Sequence, residues 1–329
     1  MQLQKVYELV VKLGQQNDPR SAKEIQLALK AEAKTFAKLE KKAKAFFDPD
    51  RLTNPYSDTR LLVGSPQTKV QKIAAGIDVN SAEFLLIQEL NRKGAKINLA
   101  FAHHPEGLAL ARLDSVLRVQ EDLYAELGVP VNVIENLIDR EVPRVQQALH
   151  PINHQQHLDF ARLLKIPFMC CHTPADNLAY QFIKALIARE KPRTLNDVLE
   201  LLMAEPEYQI SAKNGVPPLI FAGQGKSRVG KISVTGFTGG TSGSSKIYES
   251  LRHVGVGTEI AMHVKPDSLK EAKKHHINII IAGHIASDSL GMNLVLDELE
   301  KQGLEIVPFG GLIRVSRLKG KNKIKGSRA

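Results

Sequence analysis

Residues 73–104 read IAAGIDVNSAEFLLIQELNRKGAKINLAFAHH. Ile73 to Val79 is an apolar run of strand length, and Ser81 opens a helical stretch reaching about Arg92. Ile97 to Ala102 is a second apolar run, ending in two adjacent histidines. Strand, helix, strand is the elementary unit of an α/β fold, and the polar residues that follow such a strand are where chemistry concentrates.

The same alternation continues outward. Pro167 to Cys171 reads as a strand followed by a helix from about Asn177 to Ala188. Lys231 to Thr235 is a strand, Ser244 to Val254 a helix and Ile277 to Ala282 a strand. A helix over Gly291 to Gln302 and a strand at Glu305 to Val307 close the pattern. Both halves therefore predict α/β architecture. The proline-bearing stretch with Pro192, Pro206, Pro217 and Pro218 marks the boundary. The expected division is a helical extension at 1–54, a first α/β domain at 55–188 and a variable connector at 189–222. A second α/β domain at 223–316 and a disordered basic tail at 317–329 complete it.

In the extension, Ser21 and Glu24 form an S-x-x-E capping box. Ile25, Leu29, Phe36, Leu39, Ala43 and Phe46 follow as one helical stripe, interspersed with lysines, until Pro49 ends the run. This reads as a helical extension packed on the body with its lysines solvated; the functional alternative is a hairpin that binds a partner or RNA.

The chain has 329 residues, 43% of them hydrophobic and 24% charged, enough for two domains with real cores. It has no run of about 18 apolar residues, so no membrane span is expected. Lys5, Glu8 and Lys12 interrupt the first apolar stretch, which leaves no signal-peptide block and points to the cytoplasm. Its two cysteines, Cys170 and Cys171, are adjacent, which excludes a disulfide scaffold and a C-x-x-C metal site. The net charge of +10 is unevenly placed. Seven basic residues and no acidic one fall between Arg314 and Ala329, leaving 38 basic against 35 acidic over the other 313 residues.

Three strand ends carry histidine with something more. His103-His104-Pro105 follows the strand at 97–102, where a turn would let both rings converge. His172-Thr173-Pro174-Ala175-Asp176 follows Cys171; here Asp176 is either a ligand or a helix N-cap. Gly283-His284-Ile285-Ala286-Ser287-Asp288 follows the strand at 277–282, and a helical turn would set His284 and Asp288 on one face. Imidazole with carboxylate suits zinc, iron or manganese. Five ligands (His103, His104, Asp176, His284 and Asp288) are too many for one ion with an open position, and fit two ions roughly 3.5–4 Å apart. His150, His154 and His157 could form an extra metal site, but they read better as a polar helix start or a loop near the surface. Gly225-Lys226-Ser227 is not a phosphate-binding P-loop, because Ile220 stands where that motif needs glycine. The glycine-rich stretch from Gly236 to Ser245 could hold a phosphate through backbone N–H groups, or be a tight turn.

These motifs, in this order, resemble the GTP cyclohydrolase I type 2 homologues, the NGG-interacting-factor-three-like family of dinuclear-metal proteins. That family has H-H-P, then H-T-x-x-D, then a late G-H-x-x-x-E. Residues 58–64 are similar to its D-x-x-G-L-L-V-G opening, with Arg60 for the glycine, and 234–240 to its glycine-rich loop. Thr258-Glu259-Ile260 resembles its T-G-E-[IV] segment without the glycine. The resemblance implies two linked α/β domains with a metal site in the cleft between them. It makes His103, His104, Asp176, His284 and Asp288 the ligands of two divalent ions, places His172 nearby, and implies a toroidal homohexamer. Asp288 stands where the family has Glu, one methylene shorter, so its helix must approach the metals more closely or one ion must bind weakly.

The function expected is a dinuclear-metal-dependent hydrolase acting on a small molecule, GTP cyclohydrolase-like on a nucleotide, with His172 transferring protons. The alternative is a non-enzymatic metal-binding scaffold whose basic tail engages RNA or another acidic partner.

Overall fold

The structure, a computed structural model, describes residues 1–241 and 243–318. Helices α1 (Leu3–Gln16), α2 (Ala22–Lys38) and α3 (Lys41–Lys44) precede strands β1 (Arg60–Val63) and β2 (Lys72–Gly76). Then follow α4 (Ser81–Arg92), β3 (Leu99–Ala102), α5 (Gly107–Ala111), α6 (Val119–Glu126), α7 (Val131–Leu149), α8 (Gln156–Leu163) and β4 (Phe168–Cys170). The long helix α9 (Thr173–Glu190), α10 (Leu195–Met203) and α11 (Pro206–Lys213) lead to β5 (Leu219–Ala222) and β6 (Lys231–Gly236). The chain continues through α12 (Ile247–His253), β7 (Val256–Ala261), α13 (Pro266–Lys274), β8 (Asn278–Ile281), α14 (His284–Lys301) and β9 (Glu305–Pro308).

Two sheets result. The first has the order β1-β4-β3-β2-β9 and the second β5-β8-β7-β6. In each, one edge strand runs antiparallel (β1 on β4, β5 on β8) and the other pairs are parallel. Parallel strands covered on both faces need apolar side chains throughout, which is why all four residues of β3 are buried. Phe84 of α4 packs edge-on against Phe168 of β4, ring centres 5.0 Å apart. Each such fully buried ring contributes about 1.5–3 kcal/mol.

Several boundaries differ from those expected. The connector at 189–222 contains two helices, and its last residues form β5 of the second sheet. β9, assigned by position to the second domain, pairs with β2 of the first sheet. The reason lies in α14, which spans both cores: Ala286 and Leu290 join that of the second sheet, while Met292, Val295, Leu296 and Leu299 join that of the first. The chain leaves α14 beside β2, so its next strand pairs there.

The first 54 residues are mostly helical, but α1 is part of the first core. Leu3, Val6, Tyr7, Val10 and Val11 are buried at helical spacing in its main cluster. The capping box of Ser21 and Glu24 is present, whereas the expected single stripe from Ile25 to Phe46 breaks at Leu39, whose backbone is extended. Only Ile25 of α2 is buried, and Phe46 is 85% exposed. Arg60 is buried; it pairs with Asp48 at 3.0 Å and donates to the carbonyls of Tyr56 and Thr59, fastening residues 48–59 beneath β1.

The basic C-terminal stretch also divides. Arg314 is buried against Asp297 and Glu300, and Arg317 forms a two-pronged pair with Glu207. These two charges belong to the body, not to a free tail, because acidic side chains on α14 and α11 neutralise them. The remainder of the expected tail, from residue 319, lies outside the described residues. Among the described residues no helix is long and apolar enough to cross a membrane.

Candidate metal centre

Each of the three motifs sits where a strand gives way to a loop or helix. After β3, the N–H groups of His103 and His104 continue the pairing with β2 by donating to the carbonyls of Gly76 and Ile77. The two imidazoles nevertheless come to 5.2 Å between ring centres. After β4, His172 becomes the N-cap of α9, with Pro174 tolerated in the first turn. Helix α9 thus begins four residues earlier than expected, and Asp176 lies inside it instead of capping it. After β8, Gly283 takes φ 108° and ψ 126°, a conformation essentially closed to other residues, and turns the chain straight into α14. That helix begins seven residues before the expected start, which puts His284 and Asp288 one turn apart on the same face.

The donor atoms converge between the two sheets. His103 Nε2 lies 3.5 Å from Asp176 Oδ1 and 3.5 Å from Asp288 Oδ1. Asp288 Oδ2 lies 3.4 Å from His104 Nε2 and 3.4 Å from His284 Nε2. Two ligands bonded at about 2.1 Å to one tetrahedral ion stand about 3.4 Å apart, so each spacing is that of ligands sharing an ion. The facing pairs fall into two nests joined by Asp288: His103 Nε2 faces Asp176 Oδ1 and Asp288 Oδ1, whereas His104 Nε2 and His284 Nε2 face Asp288 Oδ2. Taken as threes, the donors that all lie within 4.8 Å of one another are those of His103, His104 and Asp288, and those of His103, His172 and Asp176.

The residues fit metal for a second reason. His103 Nε2, Asp176 Oδ1 and both oxygens of Asp288 are buried with no hydrogen-bond partner. One such orphan costs about 1–3 kcal/mol, and four so close together could be satisfied by a metal ion. The outer ring nitrogens are arranged to keep Nε2 free. His103 Nδ1 donates to the Cys171 carbonyl at 3.0 Å, and His104 Nδ1 meets Asp78 Oδ1 at 2.7 Å. A carbonyl can only accept, so the His103 proton is on Nδ1 and its Nε2 lone pair faces the site.

Electrostatics agree. Burial drives the Asp176 carboxyl well above its usual range, aided by Asp288 and Asp58 against the pull of His172. Asp288 moves the other way: burial opposes it, but His103, His104 and His284 hold it ionised. Burial lowers His103, and pulls His284 down to about 4, so both are neutral imidazoles with a lone pair to give. Burial would also lower His172, yet Asp176 and Asp58 raise it to about 9.

His172 is fixed by Asp58. Its Nδ1 lies 2.9 Å from Asp58 Oδ2, an oxygen that also accepts from Thr173 Oγ1 at 2.6 Å. Its ring stacks on His103 at 4.8 Å. Donor atoms of His103, His172 and Asp176 lie within 4.8 Å of one another, but the hold of Asp58 commits His172 Nδ1 elsewhere.

His172, Asp176, His284 and Asp288 form one side of a cavity of about 730 Å3, counting space open to solvent. The glycine-rich loop after β6 and the inward face of β7 form the rest. By contrast, His150, His154 and His157 form no group able to hold an ion among the described residues. His157 is engaged by Ser81 at 2.8 Å and His154 by the Leu149 carbonyl at 3.0 Å. Sequence reasoning assigned no role to Asp58, Asp78, His263 or Glu259. Asp58 and Glu259 stood within quoted motifs, and that was their only signal. His263, whose ring lies 4.8 Å from that of His284, had none.

Among solved structures, the chain is similar to an NIF3 superfamily protein from Sphaerobacter thermophilus. The two are 28% identical, with a TM-score of 0.67, over 78% of this chain and 92% of that one. The chain belongs to the NIF3 superfamily. It also matches reduced HcgD from Methanocaldococcus jannaschii at 13% identity and TM-score 0.49, over 81% of this chain and 94% of that one. For TTHA1606 from Thermus thermophilus the values are 17% and 0.46, over 80% and 92%. No family model and no curated protein matches it. In this NIF3-superfamily chain the shorter Asp288 is accompanied by close packing of its helix. Gly291 brings α14 onto α9 so tightly that a Cβ there would overlap the Ala175 carbonyl.

Proposed function

We propose that this NIF3-superfamily protein is a dinuclear-metal hydrolase that acts on a nucleotide-like small molecule. The observation that carries the reading is the convergence of four orphaned, buried donor atoms beside an open cavity. His103, Asp176 and Asp288 would hold one divalent ion and His104, His284 and Asp288 the other, with zinc, iron or manganese suited to these donors. Bound there, such ions supply Lewis acidity and bring the pKa of water towards neutrality.

The chain's own residues do the rest. Asp58 occupies His172 Nδ1, so the ring exchanges protons with a ligand through Nε2. Since Asp176 and Asp58 keep this histidine protonated up to about 9, its role is that of an acid delivering a proton to the leaving group. The glycine-rich loop after Gly236 would meet an anionic part of the substrate through backbone N–H groups, as other such turns do. On the cyclohydrolase reading, two waters hydrolyse both C–N bonds of C8 in the imidazole ring of a purine nucleotide, and that carbon leaves as formate.

Metal analysis of the purified chain, followed by formate release from GTP, tests this. Two transition-metal ions per chain and metal-dependent formate release that vanishes in His104→Ala are expected. Fewer than one ion per chain would remove the metal centre. Equal rates in the variant would remove the cyclohydrolase reaction.

A further inference from the structure

The cavity beside the metal ligands extends to residues that are almost wholly buried: Tyr124, Thr235, Phe237, Tyr248 and Glu259. Glu259 is only 4% exposed. Thr235 Oγ1 reaches its Oε1 at 3.5 Å, the outer limit of a hydrogen bond; the Tyr248 hydroxyl stands near the carboxyl, but no hydrogen bond of ordinary geometry reaches Oε2. A buried carboxylate oxygen left bare is costly, and native chains keep one where something else supplies the partner.

The placement of Glu259 shows where that partner would come from. Side chains alternate along a strand, so Glu259 and Ala261 share the face of β7 that borders the cavity, and His263 borders it just beyond. His263 in turn stands against His284 of the metal centre. Alanine in the middle keeps this track open. Tyr124, Phe237 and Tyr248 supply aromatic walls suited to a flat ring. Hydroxyls can donate or accept, but a carboxylate only accepts. The unfilled acceptor therefore calls for a ligand that brings donor hydrogens, and a fork of two N–H donors would use both oxygens at once.

We propose that Glu259 is the specificity residue of this cavity, accepting a fork of two N–H donors from the planar end of a ligand. That chemistry belongs to the 2-amino-4-oxo ring of a guanine or a pterin, and to an alkyl guanidinium. Burial raises the Glu259 carboxyl above the ordinary glutamate value, against the pull of the Tyr248 and Thr235 hydroxyls, and such a fork would restore its ionised form. The orientation of the ligand's other end towards the metals rests on the nucleotide reading above; the fork at Glu259 does not.

Isothermal titration calorimetry on the full, zinc-loaded chain tests the fork. Guanosine 5′-monophosphate is compared with inosine 5′-monophosphate, which lacks only the 2-amino donor, and neopterin and agmatine represent the other two sources. The guanosine ligand should bind about tenfold or more tighter than the inosine one, because a polar site rejects an analogue lacking its donor. Glu259→Gln should abolish that preference while zinc content stays native. Binding of neopterin or agmatine instead, lost in Glu259→Gln, supports the same role and names the source of the fork. The proposal is overturned if no fork-bearing probe binds, if the native chain does not separate the guanosine and inosine ligands and ignores the other two, or if the variant keeps the preference. The native comparisons stand even where a variant fails to fold. Binding through Glu259 without product release would remove the hydrolase reading and leave this one intact.

Discussion

Asp78→Asn should loosen one of the two ions and spare the other. Asp78 Oδ1 lies 2.7 Å from His104 Nδ1, so its carboxylate orients the ring and enriches the Nε2 lone pair that faces Asp288 Oδ2. Removing a carboxylate behind a metal-ligating histidine costs about 10–100-fold in affinity. Here the Asp78 side chain is 54% exposed, and water screens part of its charge. The lower end applies: about tenfold, or about 1.4 kcal/mol. The His103 nest is insulated from the change, because the partner behind that ring is the Cys171 carbonyl, a backbone group. Metal-stripped native and variant chains would be titrated with zinc against a chromophoric chelator, with bound ions counted by mass spectrometry. The expected result is two equivalents in the native chain, one of which weakens about tenfold in Asp78→Asn. If both equivalents weaken together, or neither does, the division of the ligands into two nests is wrong.

Gly291→Ala should destabilise by about 1–3 kcal/mol in denaturant, because its Cβ meets the Ala175 carbonyl and must push α14 from α9. Those helices carry Asp288 and Asp176, so metal retention should fall with stability; native stability would contradict the close packing. Arg317→Ala should cost about 2–4 kcal/mol, since it leaves Glu207, fully buried, without its two-pronged partner. A loss below about 0.5 kcal/mol would mark that pair as an ordinary surface contact. Glu259 gives a pH signature: burial raises its folded pKa, so its contribution is fully present below the unfolded value of about 4.3 and is lost as pH rises through the folded one. Glu259→Gln, which cannot ionise, should therefore gain stability over the native chain as pH climbs above about 4.3. A melting-temperature difference independent of pH would count against that.

Features that depend on near neighbours are legible in the chain alone. Strand–helix alternation, the cap formed by Ser21 and Glu24, and the histidines after β3, β4 and β8 are all local, because hydrophobic period and capping are decided within a few residues. Where burial removed the period, the reading failed. In the first seven residues of α14 even Ser287, Asp288 and Ser289 are buried, so that stretch carries no amphipathic signal and the expected helix starts only at Gly291. Partners brought from afar were fixed by packing instead. Asp58 stands 114 residues before His172, and Asp78 stands 26 residues before His104. Likewise β9 lies more than 200 residues beyond the strand it pairs with. Neither register nor side-chain distance follows from local preference, since both are fixed when whole elements pack. The charge count shows the same division. Composition gave +10, but packing decided that Arg314 and Arg317 neutralise acids in the body, where burial makes an unpaired carboxylate too costly to leave.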